Sequence, residues 1–552
     1  MLQSRNDKHA DNHGVVGVLV RAIWSGPILV MALAVLLPWS LGFAATCSRQ
    51  KPSASDVRPQ SAPAIGTHPD ACKLAELAAM TELVVKANPT ITTEPAAPAK
   101  SAATANPAVP ADSIVPVGPA DSSGFVLLFT GNWGGKLEPC GCADKQLGGI
   151  DRRSVILNAI PGPQRLLLDV GPLIERDNRQ SQLKLETFLY SLRHLGYDAI
   201  NLTAAEIRLC RDTIGLASSE RPPVLLTNTK DENQEQFGTI SYLIKTLKVK
   251  KHQLRCLVLG LADPEPEATV GPERQIGILD PVTSLKKVLA CQAAESDLVI
   301  VLLSSDNQGV VDALSKVDGI DIIVKVGYTD DPEMASPYRQ GPVVITTGKF
   351  GKYVARLDLA VESSGRPADG TFRAIAIEEH FPKAPVIRGF FDDYQEMMKL
   401  ENLVADEDAL IRHPLPVGNR FMGNSLCGVS GCHKDIYKKW SSLSHSVAIE
   451  TLQRPEINRL YDPECISCHT VGLEYVGGYR SLETTPQLAD VGCEMCHGPG
   501  YHHTQDVFAP YREIFTECED CHEHETSPLF DANREEYFEK VRHWTEPRKY
   551  WD

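Results

Sequence analysis

The sequence predicts two folded regions of different class, an α/β sandwich domain followed by a smaller domain made mostly of helices and loops. From residue 124 to about 380, short aliphatic strands alternate with helical segments. Cysteine and histidine motifs crowd the last quarter of the chain, where aliphatic content is low. The expected division of the chain is 1–50, 51–122, 123–380, 381–415 and 416–552.

The amino-terminal segment is typical of a signal sequence or a membrane anchor. It carries no charge over 22–48, and its apolar run centres on 28–37. Lipid modification at Cys47 is an alternative, although the aliphatic residue usual three positions earlier is missing. Residues 51–122 have too little apolar surface to fold as a domain, so they are predicted to be a linker with one short helix over 71–80. We expect an extracytoplasmic protein in which this segment is a candidate membrane tether.

Six aliphatic runs are predicted to be buried strands of the α/β domain. They are Phe125–Phe129, Arg165–Asp169, Asp198–Leu202, Leu257–Leu261, Leu298–Leu303 and Ile320–Val324. Two later runs, Val343–Thr347 and Tyr353–Leu359, are expected to be antiparallel strands. Residues 385–415 are predicted to be a helical connector to the last domain.

Four groups of cysteines and histidines share nearly the same spacing. Three have the form Cys-x-x-Cys-His, and the first has four residues between its cysteines; the groups are Cys427/Cys432/His433, Cys465/Cys468/His469, Cys493/Cys496/His497 and Cys518/Cys521/His522. In c-type haem attachment the two thiols form thioethers with the porphyrin and the histidine becomes the proximal iron ligand. Zinc is the alternative, but zinc modules need two ligand pairs per metal. We therefore expect four covalently bound haems.

Histidines are also concentrated here, because nine of the 16 follow residue 416. Five of them remain for the opposite faces of the irons: His445, His502, His503, His524 and His543. Ligation by two histidines gives an iron suited to electron transfer, since no coordination position stays open. His502 and His503 are adjacent, so only one is expected to ligate. His524 is the weakest candidate because it lies two residues after His522.

Residues 417–545 resemble a known family. The segments that carry the resemblance are Cys432-His433 with Tyr437, Trp440 and His445, then Cys468-His469-Thr470-Val471-Gly472, then Gly492 to His503 with its His-Gly-Pro-Gly run. They are similar to the tetrahaem cytochromes c that accept electrons from hydroxylamine oxidoreductase. The resemblance implies electron transfer, with His445, His503 and His543 as distal ligands. It also implies that one haem can be five-coordinate.

Residues 124–380 resemble the metallophosphoesterases of the 5′-nucleotidase kind. The matching landmarks are Gly148-Gly149 with Arg152, Leu168-Asp169-Val170-Gly171, Tyr197-Asp198-Ala199, Gly319-Ile320-Asp321 and Gly351-Lys352-Tyr353. The resemblance implies a two-sheet sandwich whose binding cleft lies at the carboxyl ends of the strands.

The metal-ligand positions of that family are nearly all different in this chain. Asn132-Trp133-Gly134 replaces Asp-x-His, Gly171-Pro172 replaces Gly-Asp, Thr203-Ala204-Ala205-Glu206 replaces Gly-Asn-His-Glu, and Ser304 and Val326–Thr329 replace the later histidine positions. A two-metal hydrolase needs carboxylates and imidazoles to hold its ions. Only Asp169, Asn201 and Glu206 remain, and they are isolated. We expect an inactive scaffold used for docking or ligand binding.

Two further observations leave alternatives open. Cys140 and Cys142 follow the first strand, and they fit a redox pair, a soft-metal ligand set, an electron contact to the haems, or a structural disulfide with Cys210, Cys256 or Cys291. The net charge of −16 disfavours nucleic acid and fits a basic redox partner or solubility alone.

Three functions are consistent with the sequence. The first is an electron-transfer cytochrome whose second domain docks partners; its donor and acceptor are not specified by the sequence. The second is a redox enzyme in which one haem, for example that of Cys427 and Cys432, keeps an open face for a small nitrogen or oxygen species. The third is a phosphoester hydrolase with an accessory cytochrome.

Overall fold

The computed structural model describes residues 124–139, 146–211, 219–264, 276–338, 341–362, 367–406, 409–429, 432–454, 459–507 and 515–543. The predictions for the amino-terminal segment, the linker and its helix, and the Cys140/Cys142 pair lie outside these residues. Within the described part of the chain, no helix combines the length and the apolar character needed to cross a membrane.

Thirteen strands are found in the described residues. In chain order they are β1 Phe125–Thr130, β2 Arg165–Asp169, β3 Ala199–Asn201, β4 Val224–Leu225, β5 Thr239–Ile240, β6 Tyr242–Val249, β7 His252–Leu261, β8 Leu298–Leu303, β9 Ile322–Val326, β10 Glu333–Met334, β11 Val343–Thr347, β12 Tyr353–Val361 and β13 Pro367–Ala376.

The strands form two mixed sheets. One has the order β13-β12-β1-β2-β3-β4-β5 and the other β10-β11-β9-β8-β7-β6. The inner strands of each sheet pair in parallel, and β12, β13, β6 and β10 pair antiparallel with their neighbours. The expected antiparallel pairing is correct for β12 but wrong for the longer contact of β11, which runs parallel to β9. Parallel strands run in one direction, so β1, β2 and β3 bring their carboxyl ends to the same edge of the first sheet.

Helices cover the outer face of each sheet. Those of the α/β domain are α1 Ser154–Asn158, α2 Arg179–His194, α3 Ala204–Leu209, α4 Asp231–Phe237, α5 Pro281–Gln292, α6 Gln308–Leu314 and α7 Pro385–Glu401. Along β1, Phe125, Leu127 and Phe129 pack between the two sheets, whereas Val126 and Leu128 face the helices. Alternate residues of a strand point to opposite faces, so a continuous apolar run fills two layers of core.

The α/β sandwich predicted from the aliphatic runs is confirmed as helix, sheet, sheet and helix layers. Helix α7 is the helical part of the expected connector. It ends at Glu401, and the next residue, Asn402, has the left-handed backbone conformation that stops a helix (φ 45°). Ile387, Phe391 and Tyr394 of α7 are buried in the same core cluster as α2. The connector therefore belongs to the α/β core over most of its helical length.

The last region contains short helices separated by irregular segments. They are α8 Asn424–Val429, α9 Lys434–Trp440, α10 Ala448–Leu452, α11 Pro463–His469, α12 Cys493–His497, α13 Tyr501–Gln505 and α14 Arg534–Val541. Short 3₁₀ turns occur at Ser444–Val447, Pro486–Leu488, Cys518–Asp520 and Asp531–Asn533. Its apolar cluster is small and includes Phe421, Ile466, Val471 and Tyr479. The predicted helical and loop character is confirmed.

Candidate functional site

All eight motif cysteines line one cavity of about 2490 Å³. Seven histidines line it as well: His433, His445, His469, His497, His503, His522 and His543. Divided among four haems, the cavity provides about 620 Å³ for each. This volume lies within the range of ~300–1,000 Å³ that is typical of a pocket for one organic ligand. The space and its thiol and imidazole lining fit four covalently attached porphyrins.

Six of these histidines face each other in pairs across the cavity. The ring centres are 6.3 Å apart for His433 and His503, and 6.2 Å apart both for His445 and His522 and for His497 and His543. A metal bound at about 2 Å by one nitrogen of each ring, itself roughly 1 Å from its ring centre, would hold the centres ~6 Å apart. Each pair therefore has a separation at which both rings would be able to bind one iron.

The seventh histidine, His469, has no such partner among the described histidines. Its Nδ1 lies 2.7 Å from the Ala448 carbonyl oxygen and 3.4 Å from Thr451 Oγ1. These contacts fix the ring and leave Nε2 for an iron, as a second hydrogen-bonded group does for many metal-bound histidines.

The two remaining candidates lie outside the cavity. His502 is exposed next to Tyr501, with ring centres 6.1 Å apart, and its Nε2 would be 3.3 Å from a side chain placed at Gly418. His524 Nε2 is 3.5 Å from a carboxylate oxygen of Asp330 in the α/β domain. Of the five expected distal candidates, the structure thus brings His445, His503 and His543 to proximal histidines, and not these two.

Burial favours the ligating form of the cavity histidines. Burial lowers the pKa of His445, His469 and His522 below the ordinary value of histidine. Neutral imidazole is the form that binds a metal, because a protonated ring has no lone pair to donate. These positions therefore present neutral rings near pH 7.

Thiols of different motifs also touch. Cys427 of the first motif hydrogen-bonds Cys493 of the third, which lowers the pKa of the Cys427 thiol. Cys521 of the fourth motif hydrogen-bonds Cys468 of the second, which raises the pKa of the Cys521 thiol. Burial and, secondarily, the nearby Cys518 raise the pKa of the Cys496 thiol. These contacts arrange the motifs in space as first, third, fourth and second.

Local sequence explains how the helical motifs are held. Asp462 caps α11 by accepting a 3.1 Å hydrogen bond from the Glu464 N–H, and Pro463 occupies the first helical position, where no amide hydrogen is needed. Gly492 precedes α12 because a β-carbon there would lie 2.0 Å from Asn424 Oδ1. That oxygen accepts a 2.8 Å hydrogen bond from the Cys493 N–H. Asn424 begins α8, so this bond ties the first motif to the third.

Glu494 is a structural residue of the site that the sequence did not suggest. It lies between the two cysteines of the third motif and is 2% exposed. Its carboxylate accepts hydrogen bonds from the backbone N–H groups of Met422 (2.8 Å), Gly423 (2.7 Å) and Gly500 (2.6 Å). The intervening residues of a Cys-x-x-Cys-His motif look like spacers, so nothing in the motif marks this one. It holds the segment before α8 against the loop after α12.

At the strand ends of the α/β domain, Asp169 is enclosed by donors. Its Oδ2 accepts from Thr130 Oγ1 (2.5 Å) and Trp133 Nε1 (2.8 Å), and its Oδ1 accepts from the Gly171 N–H (2.8 Å). The buried Arg153 guanidinium stacks 4.0 Å from the centre of the Trp133 ring. Burial raises the pKa of Asp169 despite these hydrogen bonds. The carboxylate is bound within the protein instead of facing a cleft.

The other two isolated polar residues are satisfied in the same way. Glu206 accepts from the N–H groups of Leu173 (2.6 Å) and Ile174 (2.9 Å) and completes a capping box for α3. Asn201 Nδ2 donates to the Leu261 carbonyl at 2.9 Å. Within the described ranges, no three His, Cys, Asp or Glu side chains converge as a metal-ion site. These residues support the fold of the strand ends.

The cysteines of the α/β domain have different states. Cys210 and Cys256 are buried free thiols, and burial raises the pKa of Cys210 to about 12. Cys291 is disulfide-bonded. The two buried thiols are therefore protonated and unreactive at neutral pH.

Comparison with known proteins identifies relatives of the cavity-lining region. Residues 427–498 match the family model "Cytochrome c554 and c-prime". Cytochrome c-554 of Nitrosomonas europaea is 34% identical over 94 residues, which are 14% of this chain and 39% of that protein. The chain thus spans well under half of the length of this relative.

The α/β domain is similar to solved structures at low identity. The 5′-nucleotidase precursor of Thermus thermophilus aligns at 18% identity with a TM-score of 0.41, covering 53% of this chain and 61% of that one. The calcineurin-like phosphoesterase YfkN of Bacillus subtilis aligns at 17% identity with a TM-score of 0.40, covering 50% and 97%. Likeness at this level says nothing about the chemistry of the domain.

Proposed function

We propose, from the premise that residues 427–498 form a domain of the cytochrome c554 family, that this chain is an extracytoplasmic electron-transfer protein with four covalently attached c-type haems. The observation that carries the proposal is the set of three histidine pairs, 6.2–6.3 Å apart, across a cavity lined by all eight motif cysteines. When bound, c-type haem supplies one-electron redox chemistry at its iron.

The residues of the chain divide into three roles at each attachment position. Each cysteine pair anchors the group covalently, and His433, His469, His497 and His522 are the proximal ligands. His503, His445 and His543 complete the first, fourth and third positions. Because two fixed imidazoles leave no coordination site for substrate, these three positions suit electron transfer. The contacts between motif cysteines support a relay ordered first, third, fourth and second.

The position of His469 supports a second candidate function. No described histidine faces it, so this iron is the one expected to keep an open coordination site, in place of the first motif considered from the sequence. A redox reaction of a small nitrogen or oxygen species at this position is consistent with that arrangement. Electron transfer remains the preferred function because three of the four positions are closed.

For the α/β domain we propose docking in place of hydrolysis. The carboxylates of Asp169 and Glu206 accept hydrogen bonds from groups within the strand ends. The same strand-end loops, including Gly134, Lys136 and Glu175, line the cavity that contains the motifs. This edge of the domain is therefore occupied by the cytochrome region of the same chain. Redox partner proteins are expected at other surfaces, and the acidic net charge disfavours nucleic acid.

The test is haem stoichiometry and spin state in protein matured by an exporting host. A pyridine haemochrome assay is expected to give four haems per chain. Electron paramagnetic resonance is expected to give three low-spin irons and one high-spin iron. Fewer than four haems would reject the first motif as an attachment site, and four low-spin irons would reject the open site at His469. Hydrolysis of nucleotide esters that depends on a divalent metal would reject the docking role.

A further inference from the structure

The helix that carries the open attachment position is held by the α/β domain. On helix α2, Gln180 Nε2 donates to Asp462 Oδ1 at 2.7 Å, and Lys184 Nζ donates to Glu464 Oε1 at 2.6 Å. Asp462 is the cap of α11, and Glu464 immediately precedes Cys465. Lys184 is 5% exposed, so its ion pair is shielded from solvent on the lysine side.

A second contact fixes the segment that leads into α11. Glu138, in the loop after β1, accepts hydrogen bonds from Arg459 (2.7 Å), Lys383 (2.7 Å) and Arg388 (2.6 Å). The Arg459 guanidinium also lies 5.2 Å from the centre of the Phe391 ring of α7. A carboxylate that is surrounded by three cations and is mostly buried holds its neighbours in one arrangement, because losing it would leave their charges uncompensated.

Both contacts border the cavity at the same place. Lys184, Glu138 and Arg459 line it together with Cys465 and His469. Lys136 of the α/β domain also pairs with Glu464, at 3.8 Å, whereas the ion pairs of Lys349, Lys352 and Asp330 involve the segment after the fourth motif. The α/β domain thus forms part of the cavity wall next to the one position that lacks a second histidine in the described part of the chain.

We propose that Glu138 and Lys184 are positioning residues for the open site at His469. By fixing α11 and the segment before it, they restrict the access of small neutral ligands, such as carbon monoxide, to that iron. This inference rests on the proposed function, because it requires a haem at His469. It gives the α/β domain a defined role in controlling one of the four positions.

The test measures carbon monoxide binding to the reduced, fully matured protein by flash photolysis. In Lys184→Met and Glu138→Gln, the association rate is expected to rise about tenfold, the scale of effects from groups that support metal ligands. The high-spin paramagnetic signal is expected to shift while the three low-spin signals stay unchanged. Lys184→Arg, which keeps the charge, is expected to restore the wild-type rate.

Arg179→Gln is the matched control. Arg179 lies on the same helix and pairs with Glu401 at 2.5 Å, so its removal costs an ion pair without touching α11. It is expected to leave the rate and the spectra as in the wild type. If a neutral variant matures with fewer than four haems, the exchange of Lys184→Glu with Glu464→Lys carries the test, and a wild-type rate is then expected.

Each possible result decides between the two proposals. An unchanged or slower rate in both neutral variants with four haems would overturn the positioning role, as would an exchanged pair that fails to restore the wild-type rate. A wild-type protein that binds no carbon monoxide would instead contradict the open site itself. Carbon monoxide binding to the wild-type protein is measured before any variant is made. The failure of the proposed function can therefore be distinguished from the failure of this inference.

Discussion

Polar side chains have different surroundings at the strand ends of the α/β domain and in the cavity of the cytochrome region. At the strand ends, Asp169 and Glu206 direct their oxygens to donors of the protein itself. In the cavity, cysteines and histidines line about 2490 Å³ of space and face one another across it. The strand ends already form a closed, hydrogen-bonded interior. The cavity would be filled only when a cofactor is bound. The partners of the hydrogen bonds thus distinguish a closed set of polar side chains from a set that lines an open cavity.

The largest expected effect separates the folding of the two regions. Protein made in a host that cannot attach haem should retain the α/β domain and lose ordered structure in the cytochrome region, because the small apolar cluster there cannot replace four porphyrins. Limited proteolysis is expected to leave a protected fragment ending near Asn402. The haem-loaded protein, treated in parallel, should resist cleavage beyond that residue. Equal protection in both would remove the contrast between the regions.

The second effect concerns the ligand pairs. His503→Ala should convert the first iron from low spin to high spin, raising the number of carbon monoxide-binding haems from one to two per chain. His502→Ala is the control, since this neighbouring side chain lies outside the cavity. Paramagnetic resonance of the oxidised protein measures both. If His502→Ala created the new high-spin iron instead, the pairing of His433 with His503 would be wrong.

The third effect tests the enclosed carboxylate of the strand ends. Asp169→Asn should lower the free energy of unfolding by about 2–3 kcal/mol, because an amide presents a donor to the Thr130 hydroxyl or the Trp133 N–H and leaves a buried group unpaired. Urea denaturation followed by tryptophan fluorescence checks this. Haem content should not change. Glu232→Gln, at an exposed position paired with Lys230, should leave the midpoint unchanged.

The fourth effect is a pH dependence that arises where the regions meet. Burial alone would raise the pKa of Glu138, but Arg459 and Lys383 outweigh it and hold the pKa at about 2, below its ordinary 4.5. A lowered pKa in the folded state means that the stabilisation is present above pH 4.5 and is lost as the pH falls toward 2. The stability difference between wild type and Glu138→Gln, about 3 kcal/mol at neutral pH, should therefore shrink over that window. A difference independent of pH would exclude the ion cluster as its origin.

Much of the fold could be predicted from the sequence because apolar runs fill two core layers at once. The runs that became β1, β2, β8 and β9 are continuous and aliphatic. Strand β6 was not predicted because Lys245, Thr246 and Lys248 interrupt its apolar residues, and β4 and β5 have two residues each. Nothing in the amphipathic pattern of α7 specifies that α2 is its partner.

The residues of the cavity could be predicted only in part. The proximal histidines follow from covalent spacing, which is local. The distal assignments depend on which segments meet in space, so His502 and His503 could not be separated by position alone. The family resemblance pointed to His503, and the geometry of its ring opposite His433 agrees with that choice. The role of Glu494 could not be predicted from the sequence. Its carboxylate binds the backbone N–H groups of Met422 and Gly423, which are distant in the sequence, and that of Gly500, which the motif does not indicate.

The pairing of histidines has a consequence for how the protein is made. Each pair joins positions dozens of residues apart, so His433 meets His503 only after the chain between them has been made and folded. Covalent attachment needs only the local motif, whereas the second ligand needs the folded chain. A haem attached at the first motif would therefore lack His503 as a ligand until that later segment is in place. Because of the order of synthesis, the first attachment position would be complete only after the segment that contains His503 has folded.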